Sequence, residues 1–311
     1  MANNIYVISL SPAIDYILKF DELIKDKTNR PYFTEMYPAG KGIHVSMILN
    51  NLNVKNESII FSNGDFENYF YTNLDKINIK YKKFKSEGDI RINLKLIDAQ
   101  QTECSVQAPI IDQIEINKMK EYLKNNIQEG DYVIATGSVP SNMSNIYSEI
   151  VELTNSLKGH CVIDAFGESL NLCIDKKPFL IKPNLEELAF TTKMQISNEK
   201  ELIQAAQSLL KKGAQNILVS RGSDGAIFIN KNEILKCPIG NWNKQIINVA
   251  GAGDSMLGGF ISEFIKTKNY SQSLKKSIIC GSATAYSNQI ASIKLINELT
   301  LTIEDLKIVN L

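Results

Sequence analysis

Short apolar runs rich in β-branched residues alternate with stretches of helical period along this chain. Six such runs are residues 5–10, 58–62, 131–135, 161–164, 179–181 and 216–220. Between them, apolar residues recur at helical spacing, as in Val45, Ile48, Leu49 and Leu52. Strands that alternate with amphipathic helices are typical of βαβ units. The sequence therefore predicts an α/β fold with a mainly parallel central sheet.

Residues 90–96 depart from this pattern because apolar and polar residues alternate strictly. In a strand this alternation places Arg91, Asn93 and Lys95 on one face and the apolar side chains on the other. Such a pattern indicates a half-exposed strand, unlike the buried strands of a parallel sheet. We expect this strand to belong to a small accessory sheet over one end of the domain.

The chain contains no Gly/Ser-rich or Pro-rich linker and no internal repeat. We therefore expect residues 1–311 to form a single domain that carries an inserted lid. The extended-looking stretch near the N-terminus joins the alternating strand in this lid. The lid is then discontinuous, with one part at about residues 11–37 and the other at about residues 88–109.

Composition and charge limit the classes of partner and the cellular compartment that we expect for this chain. Lysine plus arginine and aspartate plus glutamate each total 34, so no net charge attracts the chain to nucleic acid or to an anionic membrane. The N-terminus lacks the basic stretch and apolar core of a signal peptide, and no segment reaches the roughly 18 apolar residues of a spanning helix. The five cysteines include no C-x-x-C pair. We expect a cytoplasmic protein without nucleic-acid or membrane partners.

The strongest candidate for chemistry is the run of residues 249–254, with the sequence VAGAGD. It follows a strand-like stretch, residues 246–249, and precedes an apparent helix. Glycines at such a turn let backbone N–H groups converge at a helix N-terminus, where a phosphate is favoured. Asp254 lies in the first helical turn, whose positive end favours its ionised form. A lone G-x-G-D, however, is more often only a tight turn before a helix.

Two commoner phosphate motifs are absent from the sequence. A dinucleotide-binding fingerprint needs a glycine at position 256, which is Met256 here. A P-loop that ends in Gly40 and Lys41 needs a glycine five positions before Gly40, where this sequence has Glu35. Five other stretches each follow an apolar run, so we expect them at the carboxyl edge of one sheet, where open α/β folds bind ligands. They are residues 9–15, 38–45, 136–140, 181–187 and 219–226.

In this combination and order, the motifs make the sequence resemble the ribokinase-like, or PfkB, carbohydrate kinases. Within that family it is most similar to the branch of 1-phosphofructokinases and tagatose-6-phosphate kinases. The most specific pieces are residues 38–45, residues 182–184 with Glu187, residues 250–254 and residues 281–285. The resemblance implies a ribokinase-like three-layer α/β/α fold with a small β lid, and the use of ATP with Mg²⁺ to phosphorylate a sugar phosphate.

The resemblance also implies roles on the side of the phosphoryl donor. Asp254 would be the general base, and the N–H groups of Gly251, Ala252 and Gly253 would form an anion hole for the phosphoryl group. Glu187 would help to hold Mg²⁺ through water. The residues expected to bind the nucleotide are Lys182, Asn184, Glu187, Ser220, Gly222, Gly225, Gly251 and Gly253.

On the acceptor side, Lys41 and Arg91 carry charge suited to the phosphate of the substrate. Ala39 stands where the family usually has glycine, and His44 stands where it usually has asparagine. These departures leave the identity of the sugar more open than the type of reaction. The residues expected to bind the sugar phosphate are Asp15, Ala39, Gly40, Lys41, His44, Arg91, Asn93 and Ser138.

The leading hypothesis is ATP-dependent phosphorylation of fructose 1-phosphate to fructose 1,6-bisphosphate, with tagatose 6-phosphate as the rival acceptor. A catalytically weak sugar-phosphate sensor of the same fold is a third reading, which the intact Gly251, Gly253 and Asp254 disfavour. A hydride-transferring dehydrogenase would need a third glycine and a ribose-binding acid, and ranks far below. The resemblance also points to a homodimer formed through the exposed lid strands.

Overall fold

The computed structural model of the protein describes residues 3–311. Its strands are β1 (Ile5–Ser9), β2 (Ala13–Lys19), β3 (Phe33–Ala39), β4 (Glu57–Ser62), β5 (Tyr81–Lys85), β6 (Arg91–Ile97), β7 (Gln101–Cys104), β8 (Tyr132–Thr136), β9 (His160–Asp164), β10 (Leu180–Ile181), β11 (Asn216–Ser220), β12 (Ala226–Asn230), β13 (Ile234–Cys237) and β14 (Val309–Asn310). Its helices are α1 (Lys41–Asn51), α2 (Glu67–Lys76), α3 (Gln113–Asn126), α4 (Ile146–Ser156), α5 (Glu168–Ile174), α6 (Leu185–Thr192), α7 (Glu199–Lys212), α8 (Ala252–Thr267), α9 (Tyr270–Ala285) and α10 (Ile293–Thr300). None of these helices is both long and apolar enough to cross a membrane.

The larger sheet has ten strands in the order β14-β13-β12-β11-β10-β9-β8-β1-β4-β5. The strands from β5 to β11 in that order run parallel to one another, and β12, β13 and β14 continue the sheet in antiparallel fashion. The six strands predicted from the sequence are β1, β4, β8, β9, β10 and β11, with each end within one residue of the prediction. The mainly parallel central sheet is confirmed.

Helices cover both faces of this sheet, as the alternating side chains of β1 show. Tyr6 and Ile8 belong to one hydrophobic core with α3 to α7, whereas Ile5 and Val7 belong to another with α1, α8, α9 and α10. Each fully buried leucine, isoleucine or phenylalanine in these layers contributes about 1.5–3 kcal/mol. The predicted three-layer α/β/α arrangement is confirmed.

A second, small sheet has four strands in the order β3-β2-β6-β7. In β6 the polar face is the buried one, because Asn93 and Lys95 are only 7% and 3% exposed. The apolar side chains of Ile92, Leu94 and Leu96 on the opposite face are half buried. The predicted half-exposed strand is therefore confirmed, and its polar face is directed into the molecule.

Two local predictions from the sequence are wrong. Residues 246–249 form no strand; Ile246 and Val249 are exposed side chains of an irregular segment between β13 and α8. The backbone of this segment is instead held by the Ala285 carbonyl, which accepts the Ile247 N–H at 2.8 Å. Residues 9–15 were expected at the carboxyl edge of one sheet, but the chain turns after β1 and carries Asp15 into β2 of the small sheet.

Candidate active site

A cavity of about 640 Å³ lies between the small sheet and the carboxyl edge of the large sheet. The N-termini of α1 and α8 open onto it, through residues 40–44 and 251–254. Every residue predicted for the site lines this cavity except Ala39. Ala39 is fully buried in β3 opposite Ala13, so its methyl group does not border the space available to a ligand.

The turn that precedes α8 leaves backbone donors without partners. Gly251 has a φ of 77°, a conformation that suits glycine, and it starts the turn into the helix. The Ala252 N–H donates to the Val249 carbonyl at 3.2 Å, whereas the N–H groups of Gly251, Gly253 and Asp254 have no acceptor within residues 3–311. Free N–H groups at the positive end of a long helix favour an anion. The turn is therefore suited to an anion such as a phosphoryl group, and its free N–H groups are those of Gly251, Gly253 and Asp254.

Asp254 itself is 6% exposed and lies in the first turn of α8. One carboxylate oxygen, Oδ2, is 2.9 Å from Nδ1 of His44, which occupies the first turn of α1. The sequence predicted both residues for the site but placed His44 against the sugar. The structure brings it to the carboxylate of Asp254.

A fully buried carboxylate, Asp164 at the end of β9, holds two lysines at the cavity. Its Oδ1 lies 3.3 Å from Lys41 Nζ and 3.4 Å from Lys182 Nζ, and the Thr136 hydroxyl donates to Oδ2 at 3.2 Å. Burial alone raises the pKa of Asp164, but the ammonium groups of Lys182 and Lys41 outweigh it and lower the pKa below its ordinary value. Asp164 in turn raises the pKa of Lys41. The sequence did not identify Asp164, although a charged residue that ends a buried strand is a signal for this edge.

Lys182 lies next to the anion-binding turn. An added Cβ at Gly253 would be 3.4 Å from Lys182 Nζ, so the ammonium group borders the turn directly. The side chain of Lys182 is only 5% exposed, and its charge acts at short range in a site shielded from water. The turn and this ammonium group together place free N–H donors and one ammonium group at the same end of the cavity.

Asn184 and Glu187 form a capping box at the start of α6. Oδ1 of Asn184 accepts the Glu187 N–H at 2.8 Å, and Oε2 of Glu187 accepts the Asn184 N–H at 2.9 Å. This leaves Oε1 of Glu187 without a protein partner among the described residues, while the neighbouring Glu186 is exposed. In nucleotide sites Mg²⁺ takes one or two carboxylates and completes its shell with waters and phosphates. Glu187 fits that requirement.

On the side of the small sheet, Asp15 is held by two residues of β6. Lys95 Nζ lies 2.8 Å from Asp15 Oδ2, and the Asn93 side chain donates to Oδ1 at 3.0 Å. A buried ammonium group requires such a partner, because desolvating an unpaired charge is costly. The sequence placed Lys95 on the polar face of the strand but gave it no role. Its contact assigns it to orienting Asp15.

Three buried polar atoms in this region have no hydrogen-bond partner among residues 3–311: Ser11 Oγ, Arg91 Nε and Asn93 Oδ1. All three residues line the cavity. The terminal nitrogens of Arg91 donate to the carbonyls of Val106 at 2.6 Å and Ser11 at 3.2 Å, which fixes the guanidinium group. Buried polar atoms are rarely left unpaired in folded proteins. A polar ligand that offers both donors and acceptors would satisfy them.

Residues 2–291 match the sequence profile of a family described as pfkB family carbohydrate kinase. A relative named 1-phosphofructokinase, from Borreliella burgdorferi, is 32% identical over 308 residues, covering 97% of this chain and 99% of the relative. A relative named D-tagatose-1-phosphate kinase, from Bacillus licheniformis, is 28% identical over 300 residues, covering 94% and 96%. Among solved structures, phosphofructokinase-2 from Escherichia coli in complex with fructose-6-phosphate superposes with a TM-score of 0.89 at 20% identity. The match covers 98% of this chain and all of that one. Such structural matches confirm the ribokinase-like fold. The chain therefore belongs to the pfkB family of carbohydrate kinases.

Proposed function

We propose that this protein transfers the terminal phosphoryl group of ATP to fructose 1-phosphate and produces fructose 1,6-bisphosphate. The observation that carries the proposal is a single cavity. It joins Asp254 and the free N–H groups of its turn to the unpaired polar atoms of Ser11, Arg91 and Asn93 at the small sheet. One end suits a phosphoryl group in transfer, and the other suits a polar, phosphorylated sugar. Relatives named 1-phosphofructokinase that match nearly the whole chain support this choice of acceptor.

In this proposal Asp254 is the general base. The acceptor hydroxyl oxygen forms a bond to the γ-phosphorus as the bond to ADP breaks, and the hydroxyl proton passes to the carboxylate. Because the transition state is loose and little charge develops on the nucleophile, an ordinary carboxylate is sufficient. The N–H groups of Gly251 and Gly253, together with the Lys182 ammonium group, stabilise the charge on the transferring group.

In this proposal the nucleotide binds in an arm of the cavity that lies away from the small sheet. Asn184, Ser220 and the turn formed by residues 222–225 line that arm, and the exposed apolar side chains of Ile246 and Val249 give it walls suited to an adenine ring. When bound through water to Glu187, Mg²⁺ supplies neutralising charge to the phosphates. Ile246 and Val249 then contact the nucleotide, whereas the sequence suggested that they belong to a strand.

A coupled assay that follows ADP release tests the acceptor. The panel contains fructose 1-phosphate, tagatose 6-phosphate, tagatose 1-phosphate and unphosphorylated fructose. We expect the highest kcat/KM for fructose 1-phosphate, by about tenfold or more, because each misplaced polar contact in a buried site is costly. Turnover of a tagatose phosphate alone would replace the proposed acceptor. Binding of sugar phosphates without turnover of any would favour the sensor reading.

Substitution of Arg91 by alanine should raise KM for the sugar phosphate about 10- to 100-fold, since charge-assisted hydrogen bonds to a phosphate contribute roughly 1.5–3 kcal/mol. KM for ATP should stay almost unchanged and serves as the internal control. Arg91→Lys retains the charge but loses the forked donor geometry, so an intermediate KM is expected. An equal rise in both KM values for Arg91→Ala would remove Arg91 from the acceptor site.

We also propose that the protein forms a homodimer through the small sheet. Four apolar side chains share its outer face, are half buried and belong to none of the three hydrophobic cores: Tyr16, Leu18, Leu94 and Leu96. An apolar sheet face of this kind is well suited to a second copy that presents the same face.

Light scattering after size-exclusion chromatography tests the dimer. The wild-type protein should have the mass of two chains, and Leu94→Asp combined with Leu96→Asp should have the mass of one, because buried carboxylates at the interface would be desolvated without partners. Leu172→Asp, at another partly exposed leucine, is the matched control and should remain dimeric. A monomeric wild-type protein would contradict the proposal.

A further inference from the structure

His44 and Asp254 form a hydrogen-bonded pair inside the cavity. Their side chains are 11% and 8% exposed, and Nδ1 of His44 lies 2.9 Å from Oδ2 of Asp254. A carboxylate that is to accept a proton begins the reaction ionised, and an ionised carboxylate has only acceptor oxygens. The proton in this bond therefore belongs to Nδ1 of His44, which donates to Oδ2 of Asp254.

The pair is part of the contact between α1 and α8. One helical turn beyond it, Ile48 of α1 meets Gly258 of α8 so closely that an added Cβ at Gly258 would lie 2.7 Å from Cγ2 of Ile48. Residues four apart share one face of a helix. The contacts His44–Asp254 and Ile48–Gly258 are therefore consecutive steps of one close helix interface, which fixes the distance between the two functional side chains.

The turn before α8 confines the imidazole ring from another side. An added Cβ at Gly251 would lie 3.2 Å from Nδ1 of His44 and 2.6 Å from Cδ1 of Ile290. The backbone of His44 is held as well, because its N–H donates to the Gly40 carbonyl at 3.0 Å in the first turn of α1. The ring is thus packed against the segment that carries the free N–H groups.

We propose that His44 is a positioning residue for Asp254, whose Nδ1–H fixes Oδ2 and directs Oδ1 of the same carboxylate toward the acceptor hydroxyl. The inference rests on the proposed role of Asp254 as the base. During transfer the hydroxyl proton passes to Oδ1 of Asp254, while the imidazole keeps its own proton on Nδ1. The sequence suggested that His44 contacts the sugar; the hydrogen bond commits its Nδ1 to the carboxylate instead.

Three substitutions of His44 separate this role from a sugar contact. The amide nitrogen of asparagine is as many bonds from Cβ as Nδ1 of histidine, whereas that of glutamine corresponds to Nε2. His44→Asn should therefore keep kcat within about threefold, and His44→Ala and His44→Gln should lower kcat about 10- to 100-fold, because a small displacement of a catalytic group is costly. KM for the sugar phosphate should change little. Activity restored by glutamine but not by asparagine, or a change in KM alone, would overturn the inference.

A double-mutant cycle with Asp254→Asn tests the coupling of the two residues. Since His44 acts through the base, His44→Ala should cause no further loss of kcat in the Asp254→Asn background. An additive loss would overturn the inference. Near-normal turnover of Asp254→Asn alone would instead overturn the proposed base, so the two failures are distinguishable.

Folding is checked by thermal unfolding and nucleotide binding of every variant. The matched control is His160→Asn, at the only other histidine, which starts β9, packs against the rings of Tyr132 and Phe179 and does not line the cavity. It should keep kcat and KM unchanged even where it lowers the melting temperature. A similar loss of kcat in this control would show that the effect of His44 substitutions is general instability and would overturn the inference.

Discussion

Asp254→Asn lowers kcat by about 10²- to 10⁴-fold, the loss expected when a general base is removed. The amide has the shape of the carboxylate, and its oxygen can still accept the hydrogen bond from His44 Nδ1. The N–H groups of Gly251 and Gly253 stay free for the phosphoryl group, so nucleotide affinity should change little. Steady-state turnover, nucleotide titration and thermal unfolding of the variant measure the three quantities separately.

The matched control for this substitution is Asp305→Asn, at an exposed aspartate that does not line the cavity. It should leave kcat and KM at their wild-type values. Turnover of Asp254→Asn close to that of the wild-type protein would show that another group accepts the hydroxyl proton. Loss of nucleotide affinity in parallel with kcat would show instead that the charge of Asp254 holds the turn in shape.

The central sheet could be predicted because hydrophobic periodicity reports burial. Strands β1, β8 and β9 lie between two helical layers, so their sequences are apolar on both faces. Residues 246–249 were misread for the same reason. The apolar side chains of Ile246 and Val249 line the cavity rather than a core, and hydropathy does not distinguish the two. The polar face of β6 shows the converse, because polar residues there are buried. Asn93 and Lys95 both contact the buried carboxylate of Asp15 beside the cavity.

The site was only partly predictable, because its decisive contacts join distant parts of the chain. Motifs identified Asp254 and Glu187, because each belongs to a short local element, the turn into α8 and the capping box of α6. Asp164 meets Lys41 across 123 residues, and its only local signal is its place at the end of a buried strand. The contact of His44 with Asp254 spans 210 residues and depends on the packing of α1 against α8, which no local pattern encodes.

Asp164→Asn is expected to lower both stability and activity. It removes the charge shared by Lys41 and Lys182 without changing the shape of the side chain, and leaves two ammonium groups close together. Removing one partner of a buried ion pair costs about 3–5 kcal/mol. The lower end is expected here, because Lys41 remains 40% exposed and is screened by water. Chemical denaturation measures the loss, and kcat should fall as Lys182 leaves the anion-binding turn.

The pH dependence of that loss identifies its cause. The two ammonium groups lower the folded-state pKa of Asp164 below its ordinary value of about 3.9. Its contribution is then fully present above that ordinary value and is lost as the pH falls through the lower folded-state pKa. The stability difference between wild type and Asp164→Asn should therefore be constant from about pH 5 to 8 and shrink only below about pH 4.

A second substitution separates charge repulsion from lost packing. In the Asp164→Asn background, Lys182→Met removes one of the two unpaired ammonium groups and keeps most of the apolar stem of the side chain. Part of the lost stability should return, because the uncompensated charge is gone. Activity should not return, since the ammonium group that borders Gly253 is also gone. If Lys182→Met lowered stability further in this background, the stem packing of Lys182 rather than its pairing with Asp164 would dominate the energetics of the site.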